Sequence, residues 1–351
     1  MAVSLDVCSS TVSLHVRFPN REKHVVDYLN SIRRDLHYWR CCHKIRKFSV
    51  FYDTCDPQRV AKDVDLCFYF ASKLANVEHF QFISDGGYVF PQFAYKNTSW
   101  RKLDIESCME LKPLADVKWS GIVSLSIGCT YLTDGSMEKI LSGCPNLECL
   151  QLDHFWGFHR LEISNVKSRE LIIDNLETDE CDVWLDIIAP YIQNLKILES
   201  CRGIYLRNVA SLVTVVFNFE FEEEEPLQRK ESTCLKELFQ SVAHVEKLEL
   251  GPWCIQDLLL KYTNKDEQTR RFETHDFNCS FPHLKTIKIL NFSGSAMPLV
   301  KYLLKHATVL EKFIIAAKRK WGGVSSDYVK MEQELMSFPR SSPQVSVIFS
   351  Y

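Results

Sequence analysis

An apolar triplet with a fixed internal spacing recurs along the chain. In each copy, two residues separate the first apolar position from the second, and one residue separates the second from the third. The copies are Ile45/Phe48/Val50, Val77/Phe80/Phe82, Trp100/Leu103/Ile105, Ile122/Leu125/Ile127, Leu147/Leu150/Leu152, Phe158/Leu161/Ile163, Ile192/Leu195/Ile197, Leu212/Val215/Phe217, Val245/Leu248/Leu250, Leu284/Ile287/Ile289 and Leu310/Phe313/Ile315, with Ser168/Leu171/Ile173 as a weaker copy. The last two positions alternate with a spacer, which is the period of a β-strand. The recurrence predicts one short strand per repeat, stacked into a parallel sheet.

Helical segments are predicted between several of these triplets. Apolar residues recur with helical spacing in 22–38 and 57–74, and a third helix is predicted over 133–143, opening at Thr133-Asp134 and stopping at Gly143. The first positions of successive triplets from Ile45 to Phe158 lie 32, 23, 22, 25 and 11 residues apart, an irregular spacing around the ~20–29 residues of leucine-rich repeats. We therefore predict an α/β leucine-rich-repeat solenoid, with a curved parallel sheet on its concave face and helices on its convex face.

The overall composition narrows the range of partners. The chain of 351 residues has a net charge of −3 and 46% hydrophobic residues, and it has no concentrated basic stretch, so we expect no nucleic-acid partner. No apolar stretch reaches the ~18 residues of a membrane span, and the N-terminus lacks a signal-peptide pattern, so we expect no membrane association. These features predict an intracellular protein, cytoplasmic, nuclear or both.

The 14 cysteines admit two interpretations, a secreted disulfide framework or free thiols in a reducing compartment. Several lie in or beside strand triplets, namely Cys108, Cys129, Cys149 and Cys201, which favours small buried thiols. The cluster Cys41-Cys42-His43 offers half of a zinc site, but no second pair at finger-like spacing follows it. We therefore predict free core thiols and no metal site.

Catalytic motifs are absent from the sequence. It contains no phosphate-binding loop, no dinucleotide fingerprint, no HExxH and no GxSxG. The histidines His37, His43, His79, His154 and His159 have no partner at a spacing that implies catalytic geometry. We predict no catalytic residue and no cofactor. The alternative, an enzyme with an unrecognised site, would need a deep polar pocket with a perturbed titratable group.

The spacer positions of the strands are the candidate binding residues. When the second and third triplet positions point inward, the spacers point to the concave face. The candidates for contact with a protein or peptide partner are Lys47, Phe51, His79, Gln81, Lys102, Asp104, Gln151, Asp153, Arg160, Glu162, Lys196 and Lys247. Alternatively, most of them only solvate the sheet, because a minority of interface residues carries most of the binding energy.

Two segments interrupt the repeat pattern. Residues 220–231 form a charge run and residues 262–280 are polar without a triplet, so both are predicted as loop insertions. The tail 331–351 begins with a helical pattern, breaks at Pro339 and ends in a β-prone run. We divide the chain into an N-terminal helical or capping segment (1–40), a repeat array (41–280) and a C-terminal region (281–351).

Several stretches resemble the plant F-box/leucine-rich-repeat proteins that carry a C-terminal FBD module. The repeat stretches are Leu132-Thr133-Asp134 with Lys139–Glu148, Trp156–Ser164 and Val245–Ile255. The C-terminal stretches are Leu284-Lys285, Phe292-Ser293-Gly294, Ala307–Lys312 and Phe338–Pro343, followed by a strand. The resemblance implies an FBD-like α/β cap over 281–351.

The same resemblance implies a function. It indicates the non-catalytic, target-selecting part of an F-box subunit of a Skp–cullin–F-box ubiquitin ligase, which holds a target protein on the concave face. No F-box segment is found in 1–40, so binding of the ligase adaptor is expected only when an upstream F-box is restored. The alternative is a ligase-independent repeat scaffold, or a decoy that competes for the target.

Overall fold

The structure is a computed structural model that falls into two compact units. Unit 1 comprises Met1–Ser168 with Glu177–Asp179, and unit 2 comprises Arg169–Leu176 with Glu180–Tyr351. Described within them are residues 3–8, 11–18, 25–39, 45–52, 57–75, 77–84, 88–176, 184–199, 203–219, 237–251, 280–292, 297–317 and 326–350. The predicted insertions 220–231 and 262–280 therefore lie outside the described residues except for Ser280.

Unit 1 is built on a row of strands that follow one another in chain order. The strands of the row are β1 Val3–Cys8, β2 Thr11–Phe18, β3 Ile45–Tyr52, β4 Val77–Ser84, β5 Lys102–Glu106, β6 Ser124–Tyr131 and β7 Cys149–Trp156. The first pair, β1 and β2, is antiparallel, and every later pair from β2 to β7 is parallel. Parallel neighbours need a crossover, and the crossovers supply the helices α1 Val25–Trp39, α2 Pro57–Tyr69 and α3 Asp134–Ser142. A π-helical turn, Phe70–Leu74, continues α2, and a 3₁₀ turn spans Ala94–Lys96.

The inward side chains of unit 1 form a core rich in aromatic rings. Phe48 lies in register with Phe80, and Phe80 with Leu103, and all three are fully buried. Behind them Trp100 donates its indole N–H to the Ala71 carbonyl at 3.2 Å, and Trp119 donates to the Ala94 carbonyl at 2.9 Å. Both buried indoles are thus hydrogen-bonded, which makes their large apolar area available to the core without an unpaired donor.

Unit 2 contains a second row of parallel strands. Its members are β9 Glu170–Leu176, β11 Asn194–Glu199, β13 Thr214–Phe219, β14 Lys247–Leu250, β15 Thr286–Phe292, β16 Lys312–Ala317 and β17 Ser346–Ser350, paired in that order. The short strands β10 Leu185–Ile188 and β12 Ile204–Arg207 pair in parallel with each other, outside this row. The described helices are α4 Met297–His306 and α5 Ser326–Met336, with a helical turn at 237–241.

The predicted alternation is confirmed at most triplets. The second and third positions of the copies at Ile45, Val77, Trp100, Ile122, Leu147, Ile192, Leu212, Val245, Leu284 and Leu310 are all buried. The weaker copy is also a row strand, because Leu171 and Ile173 are buried in β9. The predicted helices correspond to α1, α2 and α3, and the predicted break near Pro339 separates α5 from β17. The curvature of the sheet and the FBD-like cap stay predictions.

The sixth triplet is where the predicted repeat fails. Its residues Leu161 and Ile163 are buried, but Leu161 belongs to β8, Arg160–Glu162, which is not a member of the parallel row. The physical reason is chain length. This triplet begins 11 residues after the one at Leu147, whereas a crossover between parallel strands takes a dozen or more residues by itself.

Two connections also differ from the expected helix. Where the repeat pattern predicts helices on either side of β11, unit 2 has β10 and β12. Leu185 and Ile187 are fully buried and alternate with half-buried neighbours, which is a strand period. At the N-terminus, the segment 1–40 contains α1, as predicted, and in addition β1 and β2, which the triplet pattern did not identify.

The described cysteines agree with the predicted core thiols. Cys67, Cys108 and Cys144 are buried free thiols, while Cys129 and Cys149 are partly exposed. The cluster Cys41-Cys42-His43 and the residue Cys201 lie outside the described residues.

Candidate partner-binding face

The outward side chains of β3 to β7 lie in three rows that cross the strands. The first row is Lys47, His79, Lys102, Ser124 and Cys149. The second is Ser49, Gln81, Asp104, Ser126 and Gln151. The third is Phe51, Ile83, Glu106, Gly128 and Asp153. We call these rows the open face of unit 1. At ~4.8 Å between strands, each row spans about 19 Å, which is enough for a short peptide segment.

An acidic side chain lies at the centre of the open face. The Asp104 carboxylate meets His79 Nε2 at 2.6 Å through Oδ2, and Lys102 Nζ lies 3.5 Å from the same oxygen. The Asp104 side chain is 18% exposed. Its other oxygen, Oδ1, is buried and accepts no hydrogen bond from the described part of the chain. Buried polar atoms are nearly always paired, so this carboxylate has unmet hydrogen-bonding capacity at the centre of the face.

On β3 and β4, the polar residues of the open face lie in the first and second rows and the apolar residues lie in the third row. The Ser49 hydroxyl donates to Gln81 Oε1 at 3.0 Å. Ser49 points outward as predicted but is fully buried, so it supports Gln81 rather than offering itself to a partner. Phe51 and Ile83 lie opposite each other in the third row and are partly exposed. This apolar pair beside a polar centre has the mixed character of protein-binding surfaces.

A residue with a left-handed backbone conformation follows the third row on three successive strands of unit 1. Ser107, Cys129 and His154 directly follow the third row on β5, β6 and β7, and their φ angles are 60°, 47° and 43°. These left-handed values are uncommon for residues other than glycine and cost on the order of 1 kcal/mol or more each. The pairing of β6 and β7 skips Cys129 and His154 and resumes in the same register at Thr130 opposite Phe155. The rim of the open face thus has the same strained backbone conformation on three successive strands.

The two candidates on β8 do not belong to the open face. Asp134, at the start of α3, accepts hydrogen bonds from the backbone N–H groups of His159 and Arg160 at 2.8 and 3.0 Å, which fixes β8 beside that helix. The Arg160 guanidinium donates to Glu162 at 2.8 Å and holds the pKa of that carboxyl below its ordinary value. Both side chains line a cavity of about 790 Å³ between α3 and β8. Arg160 and Glu162 therefore lie apart from the parallel row, because β8 is too close in sequence to β7 to join it, and their contact with a partner stays a prediction.

The remaining candidates, Lys196 and Lys247, lie on the strand row of unit 2. Lys196 Nζ lies 2.7 Å from Glu170 Oε1 on the neighbouring strand. A similar pair joins Lys288 and Glu249 at 3.1 Å. Lys247 is exposed, opposite Thr214 and Thr286. The charges of this row are thus mostly matched one to one across adjacent strands.

The described residues also bear on metal ligation, thiol chemistry and membrane spanning. Among them, no group of three His, Cys, Asp or Glu side chains could hold a metal ion. Burial raises the pKa of the Cys67 and Cys108 thiols, and that of Cys144 to about 12, so these sulfurs stay protonated rather than nucleophilic at neutral pH. Within the same part of the chain, the helices are too short or too polar to cross a bilayer.

Comparison with known proteins places these features in context. No family model matches the chain. It is 31% identical over 179 residues to the F-box/LRR-repeat protein At5g02910 of Arabidopsis thaliana, which covers 49% of this chain and 38% of that protein. It is 34% identical over 115 residues to F-box/LRR-repeat protein 25 of the same plant, covering 32% of this chain and 43% of the relative. Over these regions the chain is similar to plant F-box/leucine-rich-repeat proteins.

The relationship covers only part of each F-box/leucine-rich-repeat protein. A third relative, the F-box/LRR-repeat protein At3g03360 of Arabidopsis thaliana, is 29% identical over 199 residues, which is 54% of this chain and 40% of that protein. The chain thus spans about two fifths of the length of the curated relatives it matches. The repeat portion of their names agrees with the two rows of parallel strands found here.

Two residues of the open face were missed by the sequence reasoning. Ser124 and Ser126 lie on β6 and complete the first and second rows between β5 and β7. Their alternation with the buried Leu125 and Ile127 was visible in the sequence. The same alternation that identifies the spacer residues of the other strands therefore also identifies these two positions.

Proposed function

We propose that this chain is a non-catalytic protein-binding module that corresponds to the target-recognition part of an F-box ubiquitin-ligase subunit. The relatives' names support the family context. The observation that carries the proposal is the open face of unit 1, where three rows of partly exposed side chains surround the incompletely paired Asp104 carboxylate. The module would act by proximity, holding a target while other subunits supply the transfer chemistry.

The arrangement of side chains indicates how a target would be held. Phe51 and Ile83 offer apolar contact, Gln81 and Gln151 offer amide groups, and Asp104 offers a partly exposed carboxylate. In protein interfaces a few such anchors carry most of the binding energy, and the surrounding contacts exclude water. A target segment that combines an apolar side chain with a hydrogen-bond donor fits this face best.

Target capture by matched apolar variants tests the proposal. The purified chain is immobilised, incubated with a plant extract, and the retained proteins are quantified by mass spectrometry. The face variant is Phe51→Ala/Ile83→Ala. The control is Val89→Ala/Leu114→Ala, which removes apolar side chains from exposed positions of unit 1 outside the open face. We expect the face variant to lose at least about tenfold in recovery of specific targets, because tenfold corresponds to ~1.4 kcal/mol of binding. The control should stay within about twofold of the original chain.

The outcome separates the proposal from its alternatives. Equal recovery by both variants would contradict target binding on the open face. The genomic sequence upstream of Met1 then distinguishes the two roles considered from the sequence. An in-frame F-box there supports a ligase subunit, whereas target capture by a protein without that segment supports an independent scaffold or decoy.

A further inference from the structure

The last strand of unit 2 has one unpaired edge. Strand β17 pairs with β16, and within the described part of the chain no strand lies along its other side. The Ser346 N–H donates to the Glu311 carbonyl at 2.8 Å, so Ser346 directs its backbone groups toward β16. Because these directions alternate along a strand, the N–H and C=O groups of Val347 and Phe349 point to the open edge. Four backbone hydrogen-bonding groups are therefore available there.

The side chains of β17 are also incompletely covered. Val347 and Phe349 lie in register with Phe313 and Ile315, which are 0% and 1% exposed, yet both β17 residues are only partly buried. On the opposite face of the sheet, Ile348 is 41% exposed beside the partly exposed Ile314. Repeat arrays normally close such an end with a polar cap. Among the described residues, an apolar strand with an unpaired edge lies at this end of the row, and such an edge is a favourable surface for pairing with another strand.

The sequence of β17 is complementary to itself. Residues 346–350 read Ser-Val-Ile-Phe-Ser, so reversal about Ile348 places serine against serine, valine against phenylalanine and isoleucine against isoleucine. In an antiparallel pair centred on Ile348, Val347 of each copy lies opposite Phe349 of the other copy. Each of these two residue pairs exchanges two backbone hydrogen bonds, which makes four in all. Ile348 then faces its own copy as a non-hydrogen-bonded pair. No charged side chain lies on this strand to oppose itself in the symmetric arrangement.

We propose that β17 pairs antiparallel with β17 of a second copy of this chain, across a twofold axis at Ile348. The arrangement is closed, because each copy contributes the same edge and uses it up. A contact of two five-residue strands is smaller than the ~1,200–2,000 Å² buried in stable complexes. The dimer is therefore concentration-dependent, with an expected dissociation constant in the micromolar range or weaker.

Sedimentation velocity over a concentration series tests the pairing. The original chain should shift from the mass of one copy toward that of two as its concentration rises. In Ile348→Lys, two ammonium groups would meet across the axis, and this variant should sediment as one copy throughout. The matched control is Ile314→Lys, which places the same charge on the same face one strand further in, and it should dimerise like the original chain. Circular dichroism and thermal melting establish that both variants are folded.

A cysteine cross-link gives a second measurement that does not depend on a disruptive variant. Opposite residues in a non-hydrogen-bonded pair have Cα atoms ~4.5 Å apart, within the range that a disulfide spans. Mild oxidation of Ile348→Cys should yield a linked dimer, while Ile314→Cys and the original chain should not. The proposal is overturned by a single-copy mass at all concentrations, by dimerisation that survives Ile348→Lys, or by growth beyond two copies. None of these results depends on whether the open face of unit 1 captures a target.

Discussion

The two units satisfy the charges on their strand faces in different ways. In unit 1, Asp104 is shared by His79 and Lys102, is 18% exposed and keeps one oxygen without a partner among the described residues. In unit 2, Lys196 pairs with Glu170 and Lys288 with Glu249, and these side chains are 27–41% exposed. Exposed one-to-one ion pairs contribute little to the stability of the fold, and each charge in them already has a partner of opposite sign. The comparison favours unit 1 as the face that gains from a partner.

The cores behind the two faces also differ. In unit 1 the ring of Phe80 stacks on Phe48 at 6.0 Å and on Trp100 at 4.9 Å between ring centres. In unit 2 the corresponding inward positions are mostly aliphatic, as with Ile287 and Ile289 on β15. Aromatic rings bury more area per side chain and restrict one another's orientation. A rigid core of this kind holds the open face of unit 1 in a fixed geometry.

The largest expected effect comes from removing a ring of unit 1. Trp100→Ala should lower the free energy of unfolding by about 3–5 kcal/mol, because it leaves a large cavity and an unpaired Ala71 carbonyl. Ile287→Val in unit 2 removes one methylene group from a buried position and should cost about 0.5–1.5 kcal/mol. Urea denaturation followed by circular dichroism measures both. Similar losses of unfolding free energy in the two variants would show that the aromatic core of unit 1 does not stabilise the fold more than the aliphatic core of unit 2.

An intermediate effect is expected in the charge pairs themselves. A double-mutant cycle with Asp104→Ala and His79→Ala should give a coupling of roughly 1.5–3 kcal/mol, as for a half-buried hydrogen bond to a charged group. The same cycle with Glu249→Ala and Lys288→Ala should give about 0.2–1 kcal/mol. Raising the salt concentration to 1 M should reduce the second coupling more than the first, since exposed charges are screened more. Equal couplings would remove the distinction between the two faces.

The sequence predicted the strand rows well because their signal is local. The alternation at Phe48 and Val50, for example, is visible in a few consecutive residues of the sequence. The two side chains are then buried once the adjacent repeats pack against them. The sequence did not predict that β10 and β12 replace helices, because segments of four residues are too short for a helical or strand period to dominate. The triplet at Phe158 was misassigned because its spacing of apolar residues matches that of the row strands. Only the short sequence separation from β7 prevents it from joining the row.

The central contact of the candidate site was beyond sequence reasoning. His79 and Asp104 are 25 residues apart, and their meeting depends on the register between β4 and β5. That register is set in part by the turn before β5, where the Asn97 carboxamide oxygen accepts from the backbone N–H groups of Ser99 and Trp100 at 2.9 Å each. A shift of one residue there would send every outward side chain of β5 to the other face. Alternation therefore identifies which residues point outward, but not which of them touch.

The smallest expected effect is a pH dependence of the stability of unit 2 that comes from one histidine. His306 ends α4, and its ring stacks on Tyr302 at 4.3 Å between centres. Burial, with a smaller contribution from Lys305, lowers the pKa of His306 below its ordinary value of 6.5. The unfolded chain therefore takes up the proton first as the pH falls, so the contribution of His306 to stability is complete above pH 6.5 and is lost below it. His306→Gln should flatten the change in melting temperature between pH 7.5 and 5.5, whereas His283→Gln, at an exposed position of the same unit, should not. An unchanged pH profile in His306→Gln would contradict this assignment.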